Sequence, residues 1–486
     1  MNRFYRLTLF VTASLMAMRS FAQEAPATFT LEQCIEYALK NSINAQNAVI
    51  DQQIAAAKVR ETVGLGLPQI TGSASVQHNE NLRRFFASYA TAQGFAGTNK
   101  TTGLSNLDIP GLAPTDVVAS QNFFQLKSSG DVGISINQLI FSGNYLVGLQ
   151  ASKAYKDLSF KTANQTREQI VEQVTKAYYS VLINRERTNL FDNNISRLDS
   201  LLKNTIALNK NGFAEGIDVD RIRVAYNNLK SERDKFLKLS DLGNELLKFQ
   251  MNYPMDQPIN VAGKIEDVKV ESDLTSYREG WDYKSRPDYK VLEANQRLQQ
   301  LNIKNQYAGA LPTLAGFANL GYFTQSNDIG GVFTTNSSNS DNGSIGPDKW
   351  YGYSLFGVSL NMNIFTGFQR QYKIQQEKLT LQKIDNGFKS LKQGIDLQTK
   401  QASISFENAI ISLTSQKENM ELASNIARIT KIKYEQGVGS NLEVVDAENS
   451  LRQAQTNYYS ALFDAMVSKV DLDKAYGKLI PTQTQK

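Results

Sequence analysis

Two carboxylates, three residues apart, are the side chains in this sequence best suited to act on a charged solute. Glu443 and Asp446 follow the turn Gly437-Val438-Gly439, after which Ser440 or Asn441 can cap a new helix. Residues three apart share one helix face, and acids in a first turn complement the helix dipole. The sequence therefore predicts two helices joined at a tip, with both carboxylates on one side.

An earlier copy of this tip lies at residues 211–219. Its Asp218 aligns with Glu443, whereas Arg221 stands where a counterpart of Asp446 would be. The second carboxylate is therefore missing from the first copy. Two tips with the same layout predict an internal duplication.

The remaining composition excludes several kinds of chemistry. His78 is the only histidine and Cys34 the only cysteine, so a histidine-rich zinc site, a Ser-His-Asp triad and a disulfide framework do not fit. The formal net charge of +5 comes without a basic stripe, which speaks against a nucleic-acid partner. We predict no enzyme activity, no metal site and no cofactor.

The first residues have the pattern of a secretory signal peptide. Arg3 and Arg6 precede an apolar core at 7–18, and Ser20-Phe21-Ala22 is a small-x-small cleavage site. We assign residues 1–22 to this signal. No later apolar run is long enough for a membrane helix, so the mature chain is either soluble or crosses a membrane as a β-barrel.

The mature chain reads as two repeats of helix, strand, loop, strand, very long helix, tip and return helix. The first repeat is 23–253, with strands at about 68–78 and 129–141, a long helix at about 144–211 and a return helix at about 217–251. The second is 254–477, with strands at about 313–325 and 351–365, a long helix at about 368–436 and a return helix at about 441–476. A flexible tail, 478–486, follows. Each long helix would span about 100 Å, which predicts a coiled coil.

The loop at 79–128 has no clean period and is rich in aromatic residues. A loop of this length is usually functional or disordered. Its aromatic residues could form an extracellular plug or receptor surface, or an aromatic girdle where they adjoin the strands.

Short landmarks lie along the chain, and the helix-to-strand and strand-to-helix junctions among them recur in the same order in both repeats. They are Thr30-Leu31-Glu32, Arg286-Pro287-Asp288, the helix-to-strand junctions Leu67-Pro68 and Leu311-Pro312, the strand-to-helix junctions Phe141-Ser142-Gly143 and Phe365-Thr366-Gly367, and the tip from Tyr434 to Ala447. With this order and spacing the chain resembles the TolC family of outer-membrane efflux channels, from about Leu31 to Gly477.

The resemblance implies a mixed α and β membrane protein that works as a homotrimer. Four strands per chain would form one shared twelve-stranded β-barrel in outer-membrane lipid, continuous with a long periplasmic α-helical barrel. Such a protein would lie in the outer membrane of a Gram-negative bacterium and extend into the periplasm. It would be a passive exit duct for efflux or type I secretion, opened at its periplasmic tip by an adaptor (membrane fusion protein) and an inner-membrane pump.

The resemblance also implies roles for the tip residues. Glu443 and Asp446 match carboxylates that ring the closed periplasmic entrance, and Tyr434 matches a tyrosine that helps to hold it closed. Gly439 stands where the family has an arginine, so other contacts must close this tip. The adaptor would contact the two tips, at Gly212, Phe213, Ala214 and Glu215 and at Gly437, Val438, Gly439 and Ser440.

Plainer interpretations exist for each of these residues. First-turn acids can serve the helix dipole alone, Tyr434 can be a packing residue, and turn chemistry explains the glycines. For the whole chain, the alternative is a periplasmic coiled-coil adaptor or binding protein that does not span the membrane. The sequence does not identify the exported cargo.

Overall fold

The computed structural model describes residues 27–97, 107–120, 125–263, 265, 268, 270, 274–333, 336–338 and 349–480. The predicted signal peptide (1–22) lies outside these residues, as do 481–486 of the predicted tail and parts of both long loops. The chain divides into two compact units. The helical unit comprises Met1–Ala57, Lys153–Gln300 and Lys378–Lys486, and the strand unit comprises Lys58–Ser152 and Leu301–Glu377.

The described residues form both α-helices and β-strands. The helices are α1 (Leu31–Asn41), α2 (Ile43–Gly64), α3 (Tyr89–Ala96), α4 (Gly143–Lys210), α5 (Gly216–Met251), α6 (Thr275–Arg278), α7 (Pro287–Ala308), α8 (Gln369–Glu435) and α9 (Asn441–Ala475). The strands are β1 (Ala27–Phe29), β2 (Gln69–His78), β3 (Phe85–Ser88), β4 (Val117–Ser120), β5 (Ser128–Phe141), β6 (Ile259–Val261), β7 (Thr313–Ser326), β8 (Asn336–Ser338) and β9 (Lys349–Asn361).

The two longest helices dominate the chain. α4 has 68 residues and α8 has 67, and each is followed across a short turn by a return helix, α5 or α9. Within the part of the chain that the structure describes, no helix combines the length and the apolar content needed to cross a membrane. The polar composition of α4 and α8 suits helices that pack along narrow apolar seams.

The helical unit has one large apolar core, to which α1, α4, α5, α8 and α9 all contribute. Leu182, Leu247, Met466 and Leu472 are among its fully buried side chains. A capping box begins α1, because Thr30 and Gln33 exchange backbone-to-side-chain hydrogen bonds of 2.9 and 3.3 Å. This cap fixes the start of α1, whose buried face packs against the core.

Two three-residue strands close one side of this core, and the sequence pattern did not predict them. β1 pairs in parallel with β6, from Ala27 opposite Ile259 to Phe29 opposite Val261. Arg185 on α4 donates to the carbonyl of Val261 at 2.9 Å. Strands this short show no period of two, so only the folded chain reveals them.

Arg286 fixes the start of α7 to the middle part of α8 and to the end of α9. Its guanidinium binds Asp288 in a bidentate pair, with distances of 3.1 and 2.6 Å, and its Nη1 donates to Gln398 and to the carbonyl of Ala475. The arginine is 6% exposed, so its partners replace water for a buried charge. The Arg286-Pro287-Asp288 landmark thus has a packing role.

Glu168 on α4 is buried beside this arginine. Burial raises the pKa of its carboxyl to about 7, while Arg286 and Lys474 act in the opposite direction and Asp288 adds to the rise. Its side chain is therefore far harder to ionise than an exposed glutamate.

The strand unit is built on one sheet in the order β2–β5–β7–β9–β8. The first four strands are antiparallel neighbours, and β8 pairs in parallel with the first residues of β9. Cross-strand partners share a face, so Ile70, Ile136, Ala318 and Phe356 form one row. Other members of this apolar face are Val132, Ile134, Leu320, Val358 and Leu360.

The opposite face of the sheet is mostly polar. It carries a row of Thr71, Ser135 and Asn319, together with Ser73, Ser75, Gln77, Asn137 and Ser359. The apolar face is nevertheless uncovered in the single chain, where Ile70, Phe356 and Val358 are 67%, 68% and 66% exposed. The sheet therefore has two faces of different polarity.

Two details differ from the sequence prediction. The last strand was predicted to reach residue 365, but β9 ends at Asn361, because Asn361 is opposite Thr313 and β7 offers no partner beyond it. The segment 79–128 was predicted to be one long loop, but it contains the paired strands β3 and β4 and the helix α3. These elements are too short to show a clean period.

Replacement of Glu168 by glutamine should make stability less dependent on pH. The pKa is raised on folding, so stability falls as pH rises from about 4.5 to about 7, where the folded protein must ionise a buried acid. Glu168→Gln should raise the thermal unfolding midpoint by a few degrees at pH 8 and leave it nearly unchanged at pH 4.5. Glu36→Gln, at an exposed position of α1, is the matched control. An equal shift at both pH values would contradict the assignment.

Candidate functional site

The two turns that join the helical hairpins form the candidate site. Tip 1 is residues 211–215, between α4 and α5, and tip 2 is residues 436–440, between α8 and α9. All residues of the predicted gate and adaptor-contact sets lie in or beside these two tips. They belong to the helical unit.

Tip 1 closes α4 through a left-handed glycine. Gly212 has φ +77°, and its N–H donates to the carbonyl of Asn209 at 3.0 Å. The N–H of Phe213 donates to the carbonyl of Leu208 at 2.9 Å. This is the Schellman arrangement, which satisfies the free carbonyls at a helix end.

Tip 2 repeats this geometry bond for bond. Gly437 has φ +73° and donates to the carbonyl of Tyr434 at 3.0 Å, while Val438 donates to that of Lys433 at 3.0 Å. The side chain of Ser440 then accepts from the N–H of Glu443 at 3.2 Å and caps α9. The two tips are therefore equivalent turns, each of which needs glycine at the left-handed position.

Gly439 is a different case, because its backbone does not require glycine. A Cβ there would lie 3.1 Å from the Cβ of Lys433 and 3.1 Å from the backbone nitrogen of Tyr434. Tip 2 thus folds back on the last turn of α8 more closely than a larger residue allows.

The charges of the two tips differ. Glu443 and Asp446 are exposed and form no ion pair with any residue that the structure describes. Asp218 in tip 1's return helix lies 3.6 Å from Arg221 and accepts the N–H of Glu215 at 3.4 Å. Of the two aligned acids, Asp218 is therefore paired with a cation and Glu443 is not.

Both tips expose an apolar side chain at their outermost point. Phe213 is 81% exposed and Val438 is 76% exposed. Equivalent positions of two equivalent turns thus offer apolar contact to another molecule.

Tyr434 lies between the two hairpins. Its ring packs against the cluster formed by Leu198, Leu201, Ile222 and Val444, and its hydroxyl lies 3.3 Å from the Thr205 hydroxyl. The geometry fits both predicted roles, packing and closure. Its part in closure stays a prediction.

Further polar contacts tie α9 to the first hairpin, and the sequence analysis missed them. On α4, Asn194 and Arg197 bind Gln455 and Glu448, each at 3.1 Å. Glu232 on α5 accepts from Arg452 at 2.8 Å. We call these contacts, with that of Thr205 to Tyr434 and that of Asn441 to the Asp218 carbonyl, the hairpin ties.

A weak signal for the ties was present in the sequence. Glu448, Arg452 and Gln455 recur at spacings of four and three, as residues of one helix face do. Their partners lie more than two hundred residues away, and periodicity alone does not show which faces meet.

No constellation for catalysis stands out at the tips. Among the described residues, no group of three or more His, Cys, Asp or Glu side chains could hold a metal ion. Cys34 lies buried in the core, where burial raises the pKa of its thiol to about 12.

Substitution of Gly439 tests the tight contact at tip 2. Gly439→Ala should loosen the last turn of α8 and lower the free energy of unfolding by about 1 kcal/mol, because the neighbouring backbone must shift. Gly216→Ala at tip 1 is the control, since its Cβ would meet no atom within 4 Å. Hydrogen exchange across residues 431–441 should be faster in the first variant only. Equal exchange in both variants would contradict the proposed contact.

Known proteins match both the sequence and the fold of this chain. Residues 283–478 match the family model of the outer membrane efflux proteins. A probable efflux pump outer membrane protein, TtgC, and an antibiotic efflux pump outer membrane protein, ArpC, both of Pseudomonas putida, are each 22% identical to it over 365 residues. These matches cover 72% of this chain and 69% of each relative.

Solved structures extend the match to nearly the whole chain. The outer membrane channel MtrE of Neisseria gonorrhoeae, in its open state, gives a TM-score of 0.68 at 18% identity, covering 94% of this chain and 91% of that one. CusC gives 0.68 at 15% identity, with coverages of 94% and 95%, and VceC of Vibrio cholerae gives 0.64 at 13%, with 92% and 96%. The predicted fold class is confirmed. Residues 283–478 of this chain therefore match the outer membrane efflux protein family, and its fold as a whole is similar to the folds of these solved outer-membrane channels.

Proposed function

We propose that this protein is an outer-membrane exit channel of a Gram-negative bacterium, for efflux or type I secretion. It is a passive homotrimeric duct that reaches into the periplasm and performs no chemistry of its own. An inner-membrane pump drives transport, and a periplasmic adaptor joins the pump to the duct. The family match and the efflux relatives support this class of function.

The uncovered sheet is the observation that carries the proposal. Its four long strands have an apolar face and a polar face, and among the described residues the edge strand β2 has no neighbour on its outer side. Open strand edges are not tolerated in lipid, and four strands are too few to close a barrel. Three copies joined edge to edge give twelve strands, with the apolar face toward lipid and the polar face toward the lumen.

Exposed apolar stripes on the helices also call for neighbouring copies. On α5, Leu239, Leu242, Leu246 and Phe249 follow the three-four spacing of a coiled-coil seam and are 61%, 64%, 47% and 70% exposed. On α8, Leu397, Ile404 and Ile411 are seven residues apart and similarly exposed. Such seams are buried when helices of several chains pack side by side, which supports a helical barrel.

The two tips would form the periplasmic gate. Glu443 and Asp446 of three chains place six carboxylates around one axis, whereas Asp218 is balanced by Arg221 in each chain. A ring of carboxylates favours cations and binds multivalent cations. The exposed Phe213 and Val438, with the other tip residues, would contact the adaptor.

The alternative, a periplasmic coiled-coil adaptor, fits the structure less well. An adaptor of that kind needs one helical hairpin and has no use for a sheet with an exposed apolar face. This chain has two hairpins, and a strand pair precedes each of them.

Recordings in planar bilayers test the channel and its gate together. The purified protein should give small, cation-selective openings, and multivalent cations should block them. Glu443→Ala/Asp446→Ala should weaken the selectivity and reduce the block severalfold, because the entrance loses its six carboxylates.

The matched control is Glu418→Ala/Glu421→Ala on α8. It removes two exposed carboxylates with the same spacing, away from the tip. Its selectivity should stay close to that of the wild type. Unchanged selectivity in the tip variant would rule out the gate assignment, and absence of conductance from every variant would count against the channel itself.

A further inference from the structure

The Tyr353 side chain lies flat against the polar face of the sheet. Tyr353 on β9 is directly opposite Gly321 on β7, and Gly133 on β5 is the next residue of the same cross-strand row. A Cβ on Gly321 would lie 2.7 Å from the Tyr353 hydroxyl, and a Cβ on Gly133 would lie 3.0 Å from it. Neighbouring strands are about 4.8 Å apart, so a hydroxyl that reaches the second strand requires the ring to lie along the sheet.

Phe317 repeats this arrangement in the opposite direction. It extends from β7 over Gly357 on β9, where a Cβ would lie 2.5 Å from the Cζ atom of the ring. A larger residue at any of the three glycines would lift a ring from the sheet. Aromatic rings that cover strand glycines help to fix the register of a sheet, which is the plainer role of both side chains. That role leaves the other face of each ring turned away from the sheet, and Tyr353 is 39% exposed.

A carboxylate accompanies the Tyr353 ring. The Tyr353 hydroxyl donates to the Oδ1 atom of Asp131 on β5, at 3.4 Å. Asp131 is the only acidic residue in β2, β5, β7 and β9, and the strands beside β5, which are β2 and β7, contain no lysine or arginine. The neighbouring strands therefore offer no cation to balance this carboxylate.

An aromatic face beside a carboxylate suits one class of ligand in particular. The negative face of the ring attracts a cation whose charge is surrounded by apolar substituents, as in quaternary ammonium ions, and the carboxylate adds a direct charge. A calcium ion is a poor fit, because it needs about six to eight oxygen ligands. The chemistry of Tyr353 and Asp131 thus favours organic ammonium ions over metal ions.

We propose that Tyr353 and Asp131 form a binding site for organic ammonium ions on the wall of the exit duct. Phe317 lies about 14 Å further along the strands and provides a second aromatic contact. Flat rings offer these contacts without narrowing the duct, and each contact is weak enough for a cation to move on. The place of the site in the lumen rests on the proposed channel function, but both residues of the site belong to one chain.

Choline and its uncharged isostere, in which a tert-butyl group replaces the trimethylammonium group, test the site in the purified full-length protein. The two molecules share their shape, and only choline is a cation. Saturation-transfer NMR titrations should give choline an affinity about fivefold above that of the isostere. Asp131→Asn should lower the choline affinity about threefold, because it removes the charge at unchanged size, and should leave the isostere unaffected.

Replacement of the ring separates ligand binding from sheet stability. Tyr353→Leu should lower the choline affinity about threefold, whereas Tyr353→Phe keeps the aromatic face and should retain most of it. Phe356→Leu is the matched control, because it removes a ring from the opposite, apolar face of the same strand. Its choline affinity should stay close to that of the wild type. Equal affinities for choline and the isostere, or an equal loss in Tyr353→Leu and Phe356→Leu, would overturn the inference.

Failure of the channel proposal would look different, because binding in solution needs no current. A protein that prefers choline to its isostere but gives no conductance would remove the channel and keep the site. A conducting protein with the same affinity for both molecules would keep the channel and remove the site.

Discussion

The backbone groups along the edges of the sheet impose the constraint on which the rest of the structure depends. Within the part of the chain that the structure describes, β2 has no neighbour beyond it, and β8 covers β9 only at residues 349–351. In water such edges would be solvated, but the apolar face beside them is unsuited to water. One chain is therefore an incomplete wall, and further copies would supply the missing partners. In the helical unit, the exposed apolar seams of α5 and α8 likewise suggest packing partners from further copies.

In the proposed channel, the tips would supply a reversible closure. The two ion pairs among the hairpin ties are partly exposed, so each contributes no more than about 1 kcal/mol. Several weak contacts can hold two hairpins together and still be exchanged for contacts with an adaptor. The charge asymmetry between the tips has a simple origin, since Arg221 stands in the first copy where Asp446 stands in the second. The two tips therefore share the same turn geometry and differ in charge.

Sequence reasoning reached the fold class because its signals are local. The strand at 68–78 and the glycines of the two tips are each indicated by neighbours within a few residues. The hairpin ties were missed because Arg197 and Glu448 become neighbours only when α4 and α9 pack. The strand pair β1–β6 and the elements inside 79–128 were missed because they are too short to show a period. The roles assigned to the gate residues remain predictions.

The mass of the assembly extracted from the outer membrane tests the central claim most directly. Sedimentation in a mild detergent gives the protein mass once the bound detergent has been measured separately. We expect a single species of three chains in the membrane fraction, which falls to one chain on heating in a strong detergent. A monomer in mild detergent, or a protein released with the soluble periplasmic fraction, would contradict the shared sheet and the channel built on it.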